Sequence, residues 1–183
     1  LHTLSAFKNT QQSSITVPDS KDPSKFWYTL NGENEYKGIE YSAVGALSDK
    51  WDMIFGIAYM DAEKSKTQGG KNDGRKVCGI PKWSGDLALT YKPDKATKFI
   101  SRLNYTGKTR IHDTSSYAMP IGISSITLLD LGASYDTKIA GYDATITAMC
   151  YNVFNKNYWY ASGDNSIGLG APRNFMVTAN FKF

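Results

Sequence analysis

Side chains with the capacity for chemistry are few in this sequence and widely dispersed. The two histidines, His2 and His112, stand alone, with no second ligand at metal-binding spacing. Cys78 and Cys150 lie far apart and form no C-x-x-C pair, so free thiols are expected. No G-x-S-x-G elbow is present. Gly69-Gly70-Lys71 lacks the spacing of a phosphate loop, and no helical pattern follows it. Asn104-Tyr105-Thr106 fits a glycosylation triplet but falls inside a strand pattern, where it reads as chance. No catalytic residue, resident metal or cofactor emerges, and the chain does not read as an enzyme.

Two other groups of polar side chains remain. Glu40, Asp52, Asp86 and Asp130, with Lys98, Arg102 and Asn104, recur on the polar side of alternating segments. Such groups suit hydrogen bonding on a wetted wall. The aromatics Trp27, Tyr28, Tyr117, Tyr158, Trp159 and Tyr160, with His112 and Arg173 nearby, fall in polar stretches between those segments. Stacking faces and cations of this kind hold large polar or anionic ligands. The same tyrosines and tryptophans also suit a water–lipid boundary, where an apolar ring with a polar handle is at home. For Tyr158, Trp159 and Tyr160 both readings stand; for Trp27, Tyr28 and Tyr117 the choice is ligand contact or loop packing.

The elements that must position these groups are strands. The closing segment, Phe175 to Phe183, places Phe175, Val177, Ala179, Phe181 and Phe183 on one face and Met176, Thr178, Asn180 and Lys182 on the other. Residues 51–64 alternate most clearly: Trp51, Met53, Phe55, Ile57 and Tyr59 share a face, aromatic at both ends. Their eight steps span ~26 Å, close to an apolar membrane band once tilt is allowed for. Similar patterns predict further strands at 1–11, 35–47, 81–92, 97–110, 125–137 and 142–156. Residues 12–34, 65–80, 111–124 and 157–172 read as long polar loops. Between them the turns are short, at 48–50, 93–96 and 138–141.

Composition narrows the class. With 183 residues, 41% hydrophobic and a mean hydropathy of -0.40, the chain has enough residues for one domain. It lacks any apolar run near the ~18 residues of a membrane helix. Aromatics reach 13%, and the net charge of +4 is scattered without a basic stripe, which excludes a nucleic-acid partner. An alternating strand also fits a soluble sheet with one face on a core. A soluble sandwich, however, has no reason to sort its connections strictly into long and short. A transmembrane barrel does, with tight turns on one side and long loops on the other. The expected fold is all-β, an antiparallel transmembrane β-barrel formed by residues 1–183 as one domain portion.

Four stretches resemble one family, the TonB-dependent outer-membrane receptors of the siderophore-uptake type. Tyr36-Lys37-Gly38-Ile39-Glu40 is similar to its Gly-hydrophobic-Glu signature, and Thr127 to Tyr135 to its D-x-x-x-x-Y strand. Tyr151-Asn152-Val153-Phe154-Asn155-Lys156-Asn157-Tyr158 resembles its N-hydrophobic-F-(D/N)-K-x-Y motif, and Gly170-Ala171-Pro172-Arg173 its G-x-P-R. Together they cover residues 36–183 in order, with Asn155 where Asp is often found.

The resemblance implies a bacterial outer-membrane location with long loops extracellular. The eight strands would then be the C-terminal part of a barrel of about 22 strands, whose plug is not in this chain. It implies a receptor that binds a ferric siderophore outside and imports it with energy transmitted by TonB and its inner-membrane motor proteins. The iron would arrive as cargo. Glu40, Asp86, Arg102 and Asp130 would face the lumen, hydrogen-bonding a plug or water. Phe181 and Phe183 would form the terminal signal read by the barrel assembly machinery. Outer-membrane lipid and lipopolysaccharide would surround the wall. The alternative is a self-contained eight-stranded barrel with a structural or adhesive role.

Overall fold

The computed structural model describes residues 1–111, 121–163 and 166–182. These form strands β1 (His2–Pro18), β2 (Phe26–Ser48), β3 (Trp51–Ser65), β4 (Trp83–Tyr91), β5 (Thr97–Thr106), β6 (Thr109–Arg110), β7 (Gly122–Ile123), β8 (Ile126–Ile139), β9 (Tyr142–Tyr151), β10 (Trp159–Gly163), β11 (Ser166–Leu169) and β12 (Asn174–Lys182). Eight of them make one antiparallel sheet in the order β1-β2-β3-β4-β5-β8-β9-β12, while β6/β7 and β10/β11 are small separate pairs. Sheet neighbours are thus sequence neighbours once those two insertions are set aside. Among the described residues, β1 pairs with β2 alone and β12 with β9 alone, leaving the sheet open at both edges.

Register explains the alternation. Directly opposite partners share a face, and one row runs Ala43, Phe55, Leu87, Leu103, Leu129 across five strands. The next runs Leu89, Ser101, Leu131, Cys150, Phe175. Aromatic pairs bound this apolar face. Trp51 and Tyr91 lie 4.8 Å apart between ring centres and Tyr91 and Phe99 6.4 Å apart near the short turns; Tyr59 and Trp83 are 5.0 Å apart near the long connections. The opposite face carries Ser42, Gly56, Asp86 and Asn104 in one row and Glu40, Ala58, Ser84 and Thr106 in the next. No described side chain is fully sequestered, as befits a single layer with a different surrounding on each face.

Phe175, Val177, Ala179 and Phe181 pair with Cys150, Ala148, Ile146 and Ala144 on the apolar face, as their spacing predicts. Phe183 lies outside the described residues. The short turns fall where expected. Ala140 and Gly141, at φ 52° and 86°, form the tight β8–β9 reversal that requires left-handed backbone at both positions. In the β4–β5 turn the Asp94 carboxylate accepts N–H bonds from Ala96 and Thr97, both 2.8 Å.

Several expected loops are structured. Residues 12–34 are mostly strand: β1 continues to Pro18 and β2 starts at Phe26, leaving 19–25 as the connection. Polar contacts serve the side chains there, such as Trp27 Nε1–H to Asp19 Oδ2 at 2.8 Å and Lys66–Glu33 at 2.6 Å, so no face needs to be apolar. The interval 65–80 keeps its loop character, with one 3-10 turn at Gln68–Gly70, but its second half runs beside β3. There Arg75 and Ala62 carbonyls accept N–H bonds from Lys64 and Val77, at 2.7 and 3.0 Å. The strand expected over 97–110 leaves the sheet after Thr106, and β6 pairs with β7 instead. The one expected over 142–156 ends at Tyr151, and 157–172 contains the β10–β11 hairpin.

Candidate functional site

The polar face holds a trench of about 430 Å³ lined by Thr3, Ser5, Glu40, Ser84, Asp86 and Asn104. Asp86 lies over Gly56, where a Cβ would sit 2.8 Å from its Oδ1. Among the described residues the carboxylates of Glu40 and Asp86 have no hydrogen-bond partner. Nearer the short turns the same face is self-satisfied: Lys92 meets Asp52 at 2.8 Å and Lys98 meets Asp136 at 3.3 Å. Arg102 stands opposite Asp130 in register. Asp130 Oδ1 accepts the Asn152 N–H at 2.9 Å, so this carboxylate also fixes the end of β9.

That end is a clasp built from two of the motif stretches. Asn152 and Asn155 both adopt left-handed backbone, φ 49°, which Asn tolerates better than most residues. Asn152 is buried. Its Nδ2 donates to the carbonyls of Lys156 and Ala171, at 2.9 and 3.0 Å, and its Oδ1 accepts the Lys156 N–H at 2.9 Å. Asn155 Oδ1 accepts the Arg173 N–H at 2.9 Å, and Arg173 Nη1 donates to the Val153 carbonyl at 3.3 Å. Gly170 donates its N–H to the Tyr158 carbonyl at 2.8 Å, and a Cβ on Gly170 would collide with the Tyr158 ring. The clasp ties residues 151–158 to 170–173 and sets the base of the β10–β11 hairpin. The sequence signal available for it was two asparagines three residues apart, a turn pattern hidden inside an apparent strand.

The predicted loop aromatics separate into two places. Trp27 and Tyr28 sit at the tip of the β1–β2 hairpin, exposed, with Trp27 Nε1–H donating to Asp19 Oδ2 at 2.8 Å. The Lys21 backbone N–H and this indole hold the Asp19 carboxyl below its usual range. Tyr158, Trp159 and Tyr160 rise from the clasp at the other side of the sheet, six strand spacings or ~29 Å away along it. The Tyr160 ring covers Gly168 on the paired strand. Trp159, Tyr158 and Lys156 join Ile121, Ile123 and Ile167 around a hollow of about 350 Å³. Arg173 is engaged with backbone in the clasp. His112 and Tyr117 lie outside the described residues. No cluster of metal-ligating side chains occurs among the described residues.

A single antiparallel layer, apolar between aromatic borders on one face, hydrophilic on the other, and with turns sorted by length to its two ends, is a sector of transmembrane β-barrel wall. The chain belongs to the TonB-dependent receptor family: the model of the "TonB dependent receptor-like, beta-barrel" domain matches residues 1–153. This is a family of outer-membrane barrels and of receptors, not of enzymes. Among curated proteins, the metal-pseudopaline receptor CntO of Pseudomonas aeruginosa is 27% identical over 99% of this chain, which spans 25% of that receptor. Among solved structures, BauA, the ferric preacinetobactin receptor of Acinetobacter baumannii, matches all of the chain with a TM-score of 0.82 and 32% identity, over 27% of its own length. The siderophore receptor PiuA of the same organism matches in fold, at TM-score 0.75 and 22% identity over 26% of its length. The chain therefore corresponds to about a quarter of each of these relatives.

Proposed function

We propose that this chain is part of the wall of an outer-membrane receptor that binds a ferric siderophore at its extracellular, long-loop end and imports it with TonB-transmitted energy. The observation that carries this reading is the superposition of the whole chain on a ferric siderophore receptor at 32% identity. In this reading Lys156, Tyr158 and Trp159 offer one cation and two aromatic edges to the outer vestibule, with Tyr160 beside them. Trp27, Tyr28, His112 and Tyr117 are the other candidate contacts. Arg173 acts through the clasp, as a positioning residue.

Glu40 and Asp86, facing the barrel interior without partners, suit cationic or N–H donors of a plug supplied by another part of the receptor. Phe181 and Phe183 are the proposed signal for the assembly machinery, and outer-leaflet lipid, lipopolysaccharide included, surrounds the apolar face. A self-contained eight-stranded barrel is disfavoured because β1 and β12 do not pair among the described residues. The test is iron-limited growth on a panel of defined ferric siderophores, using cells whose uptake depends on the intact receptor. Receptor-dependent growth on at least one of them is expected. Growth on none, with uptake of another substrate such as cobalamin, overturns the assignment.

A further inference from the structure

Above the Tyr59–Trp83 border, the apolar face changes character without a break in register. The row containing Ala6, Ile39 and Tyr59 is followed, two residues on, by Lys8, Lys37 and Asp61, and then by Thr10, Glu35 and Glu63. Lys82 and Lys76 reach the same zone from the segment beside β3, with Nζ at 4.0 and 2.5 Å from Asp61 Oδ1. Lys66 meets Glu33 at 2.6 Å higher still. Two residues of strand rise ~7 Å, or ~5 Å after a usual barrel tilt. The polar headgroup layer beyond the hydrocarbon is ~5–8 Å deep on each side. The first charged row therefore stands in the headgroup layer.

Its charges are layered. The side chains of Lys8, Lys37, Lys66 and Lys82 are 50–67% exposed, whereas those of Glu33, Glu35, Asp61 and Glu63 are 16–35% exposed. Ammonium groups form the outer surface and the carboxylates lie beneath them. Lys8 and Lys37 stand directly opposite each other, a like-charge pairing that disfavours the sheet unless an anion lies between. Glu35 serves Lys8 at 2.7 Å but is 3.8 Å from Lys37. Lys37 and Lys82 are thus only loosely engaged.

Below Lys82, two strands across from Lys37 and three from Lys8, is a slot. Gly85 leaves a gap in the apolar face, framed by Ile57, Trp83, Leu87, Leu103 and Tyr105, with a volume of about 380 Å³. An apolar slot beneath a cationic fringe fits an acyl chain whose headgroup is phosphorylated. The fringe is one-sided: among the described residues, the β5, β8, β9 and β12 rows of this face carry no lysine at the long-connection end.

We propose that this sector of β1–β4 is a docking surface for a phosphorylated, acylated lipid of the outer leaflet, with phosphate on Lys8, Lys37 and Lys82 and an acyl chain in the Gly85 slot. The proposal rests on the reading above only in placing the long connections outside the cell. It does not depend on the imported ligand. The test uses the intact receptor in detergent, incubated with bis-phosphorylated lipid A or its dephosphorylated form, with retained lipid counted by native mass spectrometry.

Wild type is expected to retain the phosphorylated lipid at least about ten-fold better than the triple variant Lys8→Gln/Lys37→Gln/Lys82→Gln, since each surface lysine contributes to anionic headgroup binding. The corresponding triple Arg variant is expected to retain it like wild type. Equal retention by wild type and the Gln variant, or equal retention of both lipid forms by wild type, overturns the proposal. Ferric-siderophore-dependent growth of the same strains separates the two claims. A receptor that retains the lipid but supports growth on no siderophore sinks the import assignment and leaves the docking surface standing.

Discussion

Replacing Asn152 by Ala should loosen the loop clasp more than any other single truncation in it. The buried side chain makes three hydrogen bonds, to both backbone groups of Lys156 and to the Ala171 carbonyl. At about 1 kcal/mol net each, their loss costs about 3 kcal/mol. Asn152 also holds φ 49°, where Ala is disfavoured by a further ~1 kcal/mol. Together these give ~4 kcal/mol, less whatever water recovers by entering the opened loop. Asn152→Gly removes the same bonds but relieves the backbone cost, so it should be ~1 kcal/mol milder. The assay is urea unfolding of the intact receptor in lipid vesicles, followed by tryptophan fluorescence and by tryptic cleavage at Lys156. An Ala variant within ~0.5 kcal/mol of wild type, or a Gly variant as costly as Ala, would refute the account of the clasp.

Other perturbations follow from the faces. Leu103→Arg, mid-way between the aromatic borders on the apolar face, should cost ~2–4 kcal/mol of barrel stability, while Asn104→Lys next to it, on the polar face, should be nearly silent; vesicle unfolding distinguishes them. Gly38→Val should block assembly, because a Cβ there would strike the Tyr59 carbonyl and the Phe7 ring, whereas Gly45→Ala, with nothing closer than 3.9 Å, should fold normally; heat-modifiable gel mobility reports both. The Asp61 carboxyl is held below its ordinary value of 3.8 chiefly by the Lys76 hydrogen bond, and Lys76 is raised above its ordinary 10.5 chiefly by Asp61. Asp61 is depressed, so its contribution is complete above ~4 and is lost as pH falls through the folded value; Lys76 is raised, so its contribution is complete below ~10.5 and is lost above. The melting difference between wild type and Asp61→Asn should thus be flat between those limits and shrink below pH ~4.

How much of this was legible depended on the solvent each segment meets. Between Trp51 and Tyr59 one face meets lipid, so Met53, Phe55 and Ile57 must alternate with the residues between them, and the strand reads directly. Beyond Ile39, towards the long connection, the neighbouring strand β2 leaves the hydrocarbon. Lys37, Glu35 and Glu33 then replace apolar residues at the same parity, and the pattern that marks a strand disappears although pairing continues to Phe26. The polar character of residues 12–34 therefore suggested a loop. Charges continuing the parity of Tyr41 and Ile39 were the available signal.

The motif at Tyr151–Tyr158 was visible as a resemblance, but its spelling conceals a turn. Left-handed backbone at Asn152 and Asn155 has no hydrophobic signature, and the hydrogen bonds that give those residues their role cross to Ala171 and Arg173. The placement of Glu40, Asp86, Arg102 and Asp130 was easier. Position two in an alternating strand assigns the face, and register then brings Asp86 over Gly56 and Arg102 opposite Asp130.

The open edges of the sheet have a consequence for how such a wall enters a membrane. Along β1 and β12, every second residue directs its backbone N–H and C=O away from the one strand that pairs with it among the described residues. In water those groups are hydrated, and in hydrocarbon each unsatisfied one costs several kcal/mol. Even the nine residues of β12 would carry a penalty of tens of kcal/mol if exposed to lipid. A sheet of this kind cannot be threaded into the bilayer strand by strand and sealed later. Its two margins must be engaged, by barrel strands or by a catalyst standing in for them, throughout the passage, so that insertion and closure are a single cooperative event.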